Sequence, residues 1–220
     1  PAAILEYNAQ HDLWLDTQAS AEAQCAAVAD DIAYNAHDLD DGLRAGLFDL
    51  ADLEDAPFIA AILGEIRERH PGLDVARTIH ETTRRVITRF VEDAIAEGAR
   101  RLDAAAPRSV DDVRRLPGPV VTFSGRFVGV DKEMKGFLYP HMYRHPKVMH
   151  VRRNAEAIVR DLFAALFADP QLMPPEWCAG LDGADATRIA RRVADYIAGM
   201  TDRYAISEHR RLFDATPELG

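Results

Sequence analysis

The sequence predicts an all-α protein. Apolar residues recur at helical spacing along several long stretches, and residue types that cap helices precede them. Strands and helices do not alternate as they would around a parallel sheet. Only residues 120–123 have a strand-like composition, so we expect at most a very short strand pair.

The helices of the first half follow from local signals. Ser20 is the predicted N-cap of a long first helix, and Gly42 and Gly46 predict that it breaks or kinks towards its end. A second helix is expected from about residue 56 to residue 69, where a His-Pro-Gly sequence ends it. A long third helix is expected over about residues 75–102.

In the second half, a loop rich in Pro and Arg is predicted for residues 106–119, with Ser109 capping a short helical turn inside it. The sequence contains neither an internal repeat nor a low-complexity segment, and we predict one helical unit over residues 1–220. Further helices are expected at about residues 131–143, 146–167 and 184–213.

The composition is that of a globular protein, with 48% hydrophobic and 28% charged residues. A net charge of −10 argues against a broad basic face for nucleic acid. No apolar run approaches the roughly 20 residues that span a membrane. Cys25 and Cys178 stand far apart, which fits a reducing cytoplasm, and Cys25 is expected to be a small buried residue among alanines.

The sharpest chemical signal is a polar stripe in the first helix. Asp30, Tyr34 and Asp38 are spaced by four residues, which places all three on one helix face. A carboxylate suits a divalent cation, a phenol can stack on a sugar or donate to a phosphate, and a second carboxylate can accept from a sugar hydroxyl. The same spacing also fits a solvated acidic face with Tyr34 packed at its edge, and spacing alone does not separate the two.

The stretch that contains this stripe, EAQCAAVADDIAYNAHDLDDGLRAGLF, resembles a segment of the dGTPase-like branch of the HD-domain phosphohydrolases. That segment carries the family's last metal-binding Asp in an Asp-x-x-x-Tyr-x-x-x-Asp pattern. The resemblance implies that Asp30 binds the metal, that Tyr34 flanks the sugar and phosphates, and that Asp38 binds the deoxyribose 3′-hydroxyl. Asp31 is the alternative metal ligand, rotated by about 100° from the stripe.

Two further stretches, in the family's order, resemble the same family. Residues 135–146, KGFLYPHMYRHP, are similar to the helix that closes over the nucleotide. This implies that Lys135 meets a phosphate and that Tyr143 packs near the base or sugar. Residues 195–205, DYIAGMTDRYA, match a stretch that we interpret as structural, with Gly199 allowing close helix packing.

The resemblance covers nearly the whole chain and implies the C-terminal portion of an HD-domain-like enzyme. Residues 1–70, approximately, would end the HD core, and the remainder would complete the nucleotide pocket. The complete enzyme would use a divalent metal (Mg²⁺, Mn²⁺ or another transition metal) to convert a deoxynucleoside triphosphate into deoxynucleoside and triphosphate. The implied partners are that substrate, the missing N-terminal half of the domain, and further copies in a homo-oligomer.

The remaining metal ligands of such a site, a His and a His-Asp dyad, are not found ahead of Asp30. His11-Asp12 spells the dyad, but it has no upstream His, and we reject it. His37 points about 100° away from Asp38, and helix packing is the preferred interpretation of His141 and His145. The chain is therefore expected to be inactive alone. The alternative functions are a non-catalytic nucleotide-binding or assembly module and a helical scaffold unrelated to nucleotides.

Overall fold

The computed structural model describes residues 2–213. Over these residues the chain forms ten α-helices and no strand, and the all-α prediction is confirmed. The helices of the first compact unit, residues 1–143, are α1 (Ala2–Asn8), α2 (Ala21–Arg44), α3 (Pro57–Arg69), α4 (Val75–Ala105), α5 (Val110–Arg114) and α6 (Gly125–Leu138). Those of the second unit, residues 144–220, are α7 (Pro146–Ala168), α8 (Pro175–Cys178), α9 (Ala186–Ala198) and α10 (Asp202–Leu212).

The sequence predicts one unit over residues 1–220, divided in function near residue 70. That position falls inside the first unit, because its core holds residues from both sides of it, from Ile32 on α2 to Leu138 on α6. The second unit has its own smaller core, in which Leu166, Val193 and Tyr196 are buried. None of the helices in the described part of the chain is long and apolar enough to cross a membrane.

Side-chain caps fix the starts of α2, α4, α5 and α6, as predicted for Ser20 and Ser109. The Ser20 hydroxyl accepts from the backbone N–H of Ala23 at 3.3 Å, and α2 begins directly after it. Ser109 caps α5 in the same way. Each cap satisfies a backbone donor that has no partner inside its helix.

Residues 120–123, the stretch with a strand-like composition, form no strand in the described structure. The backbone N–H groups of Val120 and Val121 donate instead to the side-chain oxygen of Gln24 on α2, at 2.8 and 3.0 Å. Three residues after Val121, the backbone N–H of Ser124 donates to the carboxylate of Asp93 on α4 at 2.8 Å. Because side chains already satisfy these donors, the segment has no need of a partner strand.

Two predicted helices have different bounds in the structure. The helix expected at residues 131–143 begins earlier, at Gly125, because Ser124 caps it, and it ends at Leu138 in a π-helical turn, Tyr139–Tyr143. The helix expected at residues 184–213 is two helices, because Gly199 ends α9 and Thr201 caps α10. Gly199 therefore serves as a helix end rather than as a site of close packing.

Cys25 is also placed differently from its prediction. It lies exposed on α2 as a free thiol, whereas we expected a buried residue. Cys25 lies two turns before Ile32 and shares its side of α2, but at this end of the helix it lines an apolar groove between α2 and α4 that is open to solvent. A helix with many alanines has a weak amphipathic pattern, so the sequence did not show which small residues face outward.

The largest part of the core joins α2, α3, α4 and α6. Leu39 on α2 and Ile59, Leu63 and Ile66 on α3 are almost completely buried, and burial of a side chain of this size contributes about 1.5–3 kcal/mol. Phe90 on α4 makes edge-to-face contacts with three other rings at centroid distances of 5.1–5.8 Å, namely those of Phe58, Phe123 and Phe127. These contacts hold α4 against α3 and the start of α6.

We predict that Gln24→Ala destabilises the first unit by about 1–3 kcal/mol, because it leaves the backbone N–H groups of Val120 and Val121 without an acceptor. Urea unfolding followed by circular dichroism measures the change. Gln10→Ala, at an exposed position, is the control and should leave the midpoint unchanged. An unaltered midpoint for Gln24→Ala would show that water replaces this acceptor at no cost.

A second prediction concerns Glu81, whose carboxylate binds Arg84 and Arg85. Hydrogen bonding to Arg84 is the main cause that lowers the pKa of Glu81 from 4.5 to about 2. The pKa of Glu81 is lower in the folded state than in the unfolded state. The ionised carboxylate therefore stabilises the fold above pH 4.5, and this stabilisation is lost as the pH falls towards 2. Glu81→Gln should therefore be less stable than the wild type at pH 7, and the difference should shrink below pH 4.5 in thermal unfolding scans. A constant difference from pH 7 to pH 3 would contradict this.

Candidate functional site

The burial of α2 decides which of its residues face outward. Ile32, Ala36 and Leu39 are buried in the core of the first unit. Since the helix repeats every 3.6 residues, the opposite side of α2 carries the predicted stripe. Asp30 is exposed and Tyr34 keeps 57% of its surface accessible, while Asp38 is half-buried. The three residues lie on one face, as the spacing predicted.

Tyr143 reaches this face from a distant part of the chain. Its hydroxyl donates a hydrogen bond to the Asp38 carboxylate, more than a hundred positions away in the sequence. Burial, followed by hydrogen bonding to Asp38 and Tyr34, raises the pKa of Tyr143 well above its usual value. The phenol therefore stays neutral and remains a hydrogen-bond donor. The structure thus brings together three of the residues that the resemblance assigned to nucleotide binding.

The position of Tyr143 depends on the loop that follows α2. Gly46, with a φ of +60°, turns the chain so that Phe48 folds back against α2 at Gly42, where a Cβ atom would overlap the Phe48 ring. The Phe48 ring packs edge-on against Phe137, with centroids 5.1 Å apart. Phe137 in turn stacks on His141 at 4.3 Å. This stack supports the π-helical turn that ends at Tyr143.

Lys135, the predicted phosphate ligand, is held near α2 by two residues that the sequence analysis missed. Its ammonium group lies 2.8 Å from one carboxylate oxygen of Asp131. The other oxygen of Asp131 accepts from the side-chain amide of Asn35, also at 2.8 Å, and Asn35 is buried on α2 beside Tyr34. A sequence signal existed, because Asn35 is a polar residue on the apolar side of α2 and so needs a buried partner.

The metal-binding prediction for Asp30 rests on the resemblance alone. Asp30 and its alternative Asp31 are both exposed. Among residues 2–213 no group of three or more His, Cys, Asp or Glu side chains is placed to hold a metal ion. Since a single carboxylate supplies one of the four or more ligands that a divalent cation takes, the residues described here do not fit a metal by themselves.

The histidines considered in the sequence analysis have other surroundings. His11 packs against Tyr7 at a ring distance of 5.1 Å, and the neighbouring Asp12 accepts from the backbone of Trp14. His37 is exposed. The Nδ1 atom of His141 lies 2.8 Å from the carbonyl oxygen of Phe137. In the second unit, the His145 ring accepts from the backbone N–H of Lys147 and caps α7. Each of these contacts joins residues that lie close in the sequence.

The outward face of α2 therefore has a mixed chemical character. It presents the Asp38 carboxylate, which can accept further hydrogen bonds besides the one from Tyr143, and the phenols of Tyr34 and Tyr143. Lys135 on α6 adds a cation, and the ring of Tyr34 is exposed. Such a set can bind a hydroxylated ring and an anionic group at the same time.

The chain is similar to known proteins in two comparisons. Residues 121–211 match the phosphohydrolase-associated domain. Over its whole length the chain is also similar to proteins named deoxyguanosinetriphosphate triphosphohydrolase-like. It is 54% identical to the one from Azorhizobium caulinodans, 54% identical to one from Mesorhizobium japonicum and 53% identical to the one from Brucella ovis. The resemblance recognised in the sequence is thereby confirmed.

These relatives are longer than the chain. All of the chain is covered in each comparison, but only 54% of the first two relatives and 55% of the third. The chain therefore spans about half the length of the curated relatives that it matches.

We predict that Tyr143 and Asp38 are energetically coupled. A double-mutant cycle of Tyr143→Phe and Asp38→Asn should give a coupling free energy of about 1–2 kcal/mol, the value for a hydrogen bond to a charged group reduced by partial exposure. Chemical unfolding of the four proteins measures it. A matched cycle of Tyr7→Phe with Asp38→Asn should give no coupling, since Tyr7 is exposed on α1. Equal coupling in both cycles would show that the Tyr143 bond contributes nothing specific.

Proposed function

We propose that this chain is the C-terminal portion of a metal-dependent deoxynucleoside triphosphate triphosphohydrolase, and that it supplies much of the nucleotide pocket. The observation that carries the proposal is the assembly of Tyr34, Asp38 and Tyr143 on one face of α2, with Lys135 held nearby. The names of the relatives support the same class of reaction.

The proposed roles follow from the hydrogen-bonding capacity of each group. One oxygen of Asp38 takes the Tyr143 hydroxyl, which leaves the other free to accept from a sugar hydroxyl. The neutral phenol of Tyr143 fixes that carboxylate in orientation. Tyr34, with an exposed ring, can pack against the sugar. The 3′-hydroxyl of a deoxyribose is a suitable partner for this arrangement.

Lys135 is proposed to bind the triphosphate. Its bond to Asp131 is half exposed, so a highly charged phosphate can compete for the ammonium group. The bond from Asn35 to Asp131 keeps the carboxylate in place and so limits the positions of the lysine. A fixed cation near the phosphates stabilises the negative charge that builds there as the bond to phosphorus breaks.

The complete metal site is proposed to need residues from outside this chain. Asp30 would supply one ligand, and the parent protein would supply the His and the His-Asp dyad. A cation held by such a site would supply the means to activate a water molecule. We further propose that the parent protein acts as a homo-oligomer in the cytoplasm.

A second candidate function is a non-catalytic nucleotide-binding or assembly module. The observation that favours it is the lack of a ligand cluster among residues 2–213. Direct sequencing of the gene upstream of this chain separates the two proposals, because an in-frame His followed by a His-Asp dyad supports the enzyme and a stop codon supports the module.

We predict that the isolated chain of 220 residues hydrolyses dGTP and other deoxynucleoside triphosphates at no more than background rate with Mg²⁺ or Mn²⁺, because one carboxylate holds such ions poorly. Release of triphosphate, resolved by ion-exchange chromatography, measures this. Robust release by the purified chain would contradict the proposed dependence on further ligands and would return His11 and His37 to consideration.

In the parent protein, Asp30→Ala should abolish turnover and metal binding. The matched control is Asp31→Ala, which removes a neighbouring exposed carboxylate rotated by about 100° and should have a much smaller effect. Steady-state kinetics and metal titration by calorimetry measure both. The reverse order of effects would assign the metal to Asp31.

A further inference from the structure

The motif at residues 195–205, to which the proposed function assigns no role, helps to form a small cavity in the second unit. The cavity has a volume of about 240 Å³. Since pockets for drug-sized ligands have about 300–1,000 Å³, this one suits a group of side-chain size and is too small for a nucleotide. Its lining comes from α8, the end of α9, the link that follows and the start of α10, and includes Glu176, Trp177, Tyr196, Met200 and Tyr204.

Three aromatic rings meet at this cavity. The rings of Trp177 and Tyr196 are inclined by 50°, with their centroids 5.2 Å apart. The hydroxyl groups of Tyr196 and Tyr204 lie 3.0 Å apart and share a hydrogen bond, which fixes the two rings relative to each other. Tyr196 is buried, whereas 42% of Tyr204 is exposed. A ligand can therefore reach the cavity from solvent along the Tyr204 ring.

The charge of the lining is negative. Glu176 supplies a carboxylate, and no Lys, Arg or His side chain within the described part of the chain lines the cavity. Arg192 donates to the backbone carbonyl of Trp177 and is not part of the lining. Burial, followed by hydrogen bonding to Tyr204, raises the pKa of Tyr196 above its usual value, so this phenol stays neutral. An anion such as a phosphate finds no positive partner here.

We propose that this cavity binds an alkylammonium group. The face of an aromatic ring carries partial negative charge and attracts cations, most strongly for Trp and then for Tyr. The ammonium group lies against Trp177 and Tyr204, with Glu176 as its counter-charge, and the alkyl part contacts the thioether of Met200. The inference is independent of the proposed function, because no residue assigned to the nucleotide lines this cavity.

Titration of the 220-residue chain with n-butylammonium tests the proposal. The substitution Trp14→Phe leaves Trp177 as the sole tryptophan, so fluorescence reports on the cavity alone. We expect a saturable change with a dissociation constant of about 1 mM, which is within the limit for a ligand of about five heavy atoms. Neutral n-butanol, of the same size, should bind at least about tenfold more weakly, since it lacks the charge. Failure to saturate, or equal binding of the two molecules, would overturn the proposal.

Substitutions of the exposed Tyr204 test the contribution of its ring. Tyr204→Ala removes the ring and should abolish saturation, whereas Tyr204→Phe keeps the ring face and should change the affinity by no more than about twofold. Tyr7→Ala, at an exposed tyrosine of the first unit, is the matched control and should have no effect. Undiminished binding by Tyr204→Ala would contradict the assignment, and circular dichroism verifies that each variant is folded.

The counter-charge has its own test. Glu176→Gln should weaken binding of n-butylammonium by about fivefold, the upper range for an exposed ion pair. Glu156→Gln removes the same charge from α7, outside the cavity, and should leave the affinity unchanged. Equal weakening by both substitutions would show that the net charge of the chain attracts the ligand, and would overturn the role of Glu176.

Two sources of an alkylammonium group are compared in the same titration. Spermidine represents a free polyamine, and Nα-acetyl-lysine N-methylamide represents the lysine side chain of a protein. Tighter binding of spermidine than of n-butylammonium assigns a small-molecule ligand, and tighter binding of the lysine derivative assigns a protein partner. Weaker binding of both than of n-butylammonium would reject both sources and overturn the proposal.

Discussion

The rotational setting of α2 is the constraint on which the rest of the site depends. Ile32, Ala36 and Leu39 enter the core of the first unit, and this burial fixes the helix about its axis. Rotation by one residue, about 100°, would bury an acidic side chain of the stripe and expose the apolar residues, and burial of an unpaired charge is far more costly than loss of one apolar contact. Every relation of Asp30, Tyr34 and Asp38 to the other helices follows from that setting.

Polar side chains from α2 and its neighbours then fix the positions of the segments around it. Gln24 accepts from the backbone at residues 120 and 121, and Asn35 donates to Asp131 on α6. Glu133 accepts from the backbone N–H of Phe58, at the start of α3. Within the described part of the chain no buried side-chain oxygen or nitrogen lacks a partner. Such bonds have strict geometry, so they specify where α6 lies more narrowly than apolar contact alone.

The stripe on α2 and the apolar groove between α2 and α4 lie on different sides of the same helix. One side presents the stripe of Asp30, Tyr34 and Asp38, and another presents apolar surface.

The sequence by itself determined the helical class, the starts of α2, α4 and α5 and the shared face of Asp30, Tyr34 and Asp38, because caps and periodicity are local properties. It also indicated Lys135 and Tyr143, but only through resemblance. Only the tertiary structure decided that Tyr143 bonds to Asp38, that Asn35 and Asp131 hold Lys135, and that Cys25 is exposed. The bonds from Tyr143 to Asp38 and from Asn35 to Asp131 join residues about a hundred positions apart. The exposure of Cys25 depends on which small side chains of a helix face the core. Packing between helices sets both, and no local pattern encodes it.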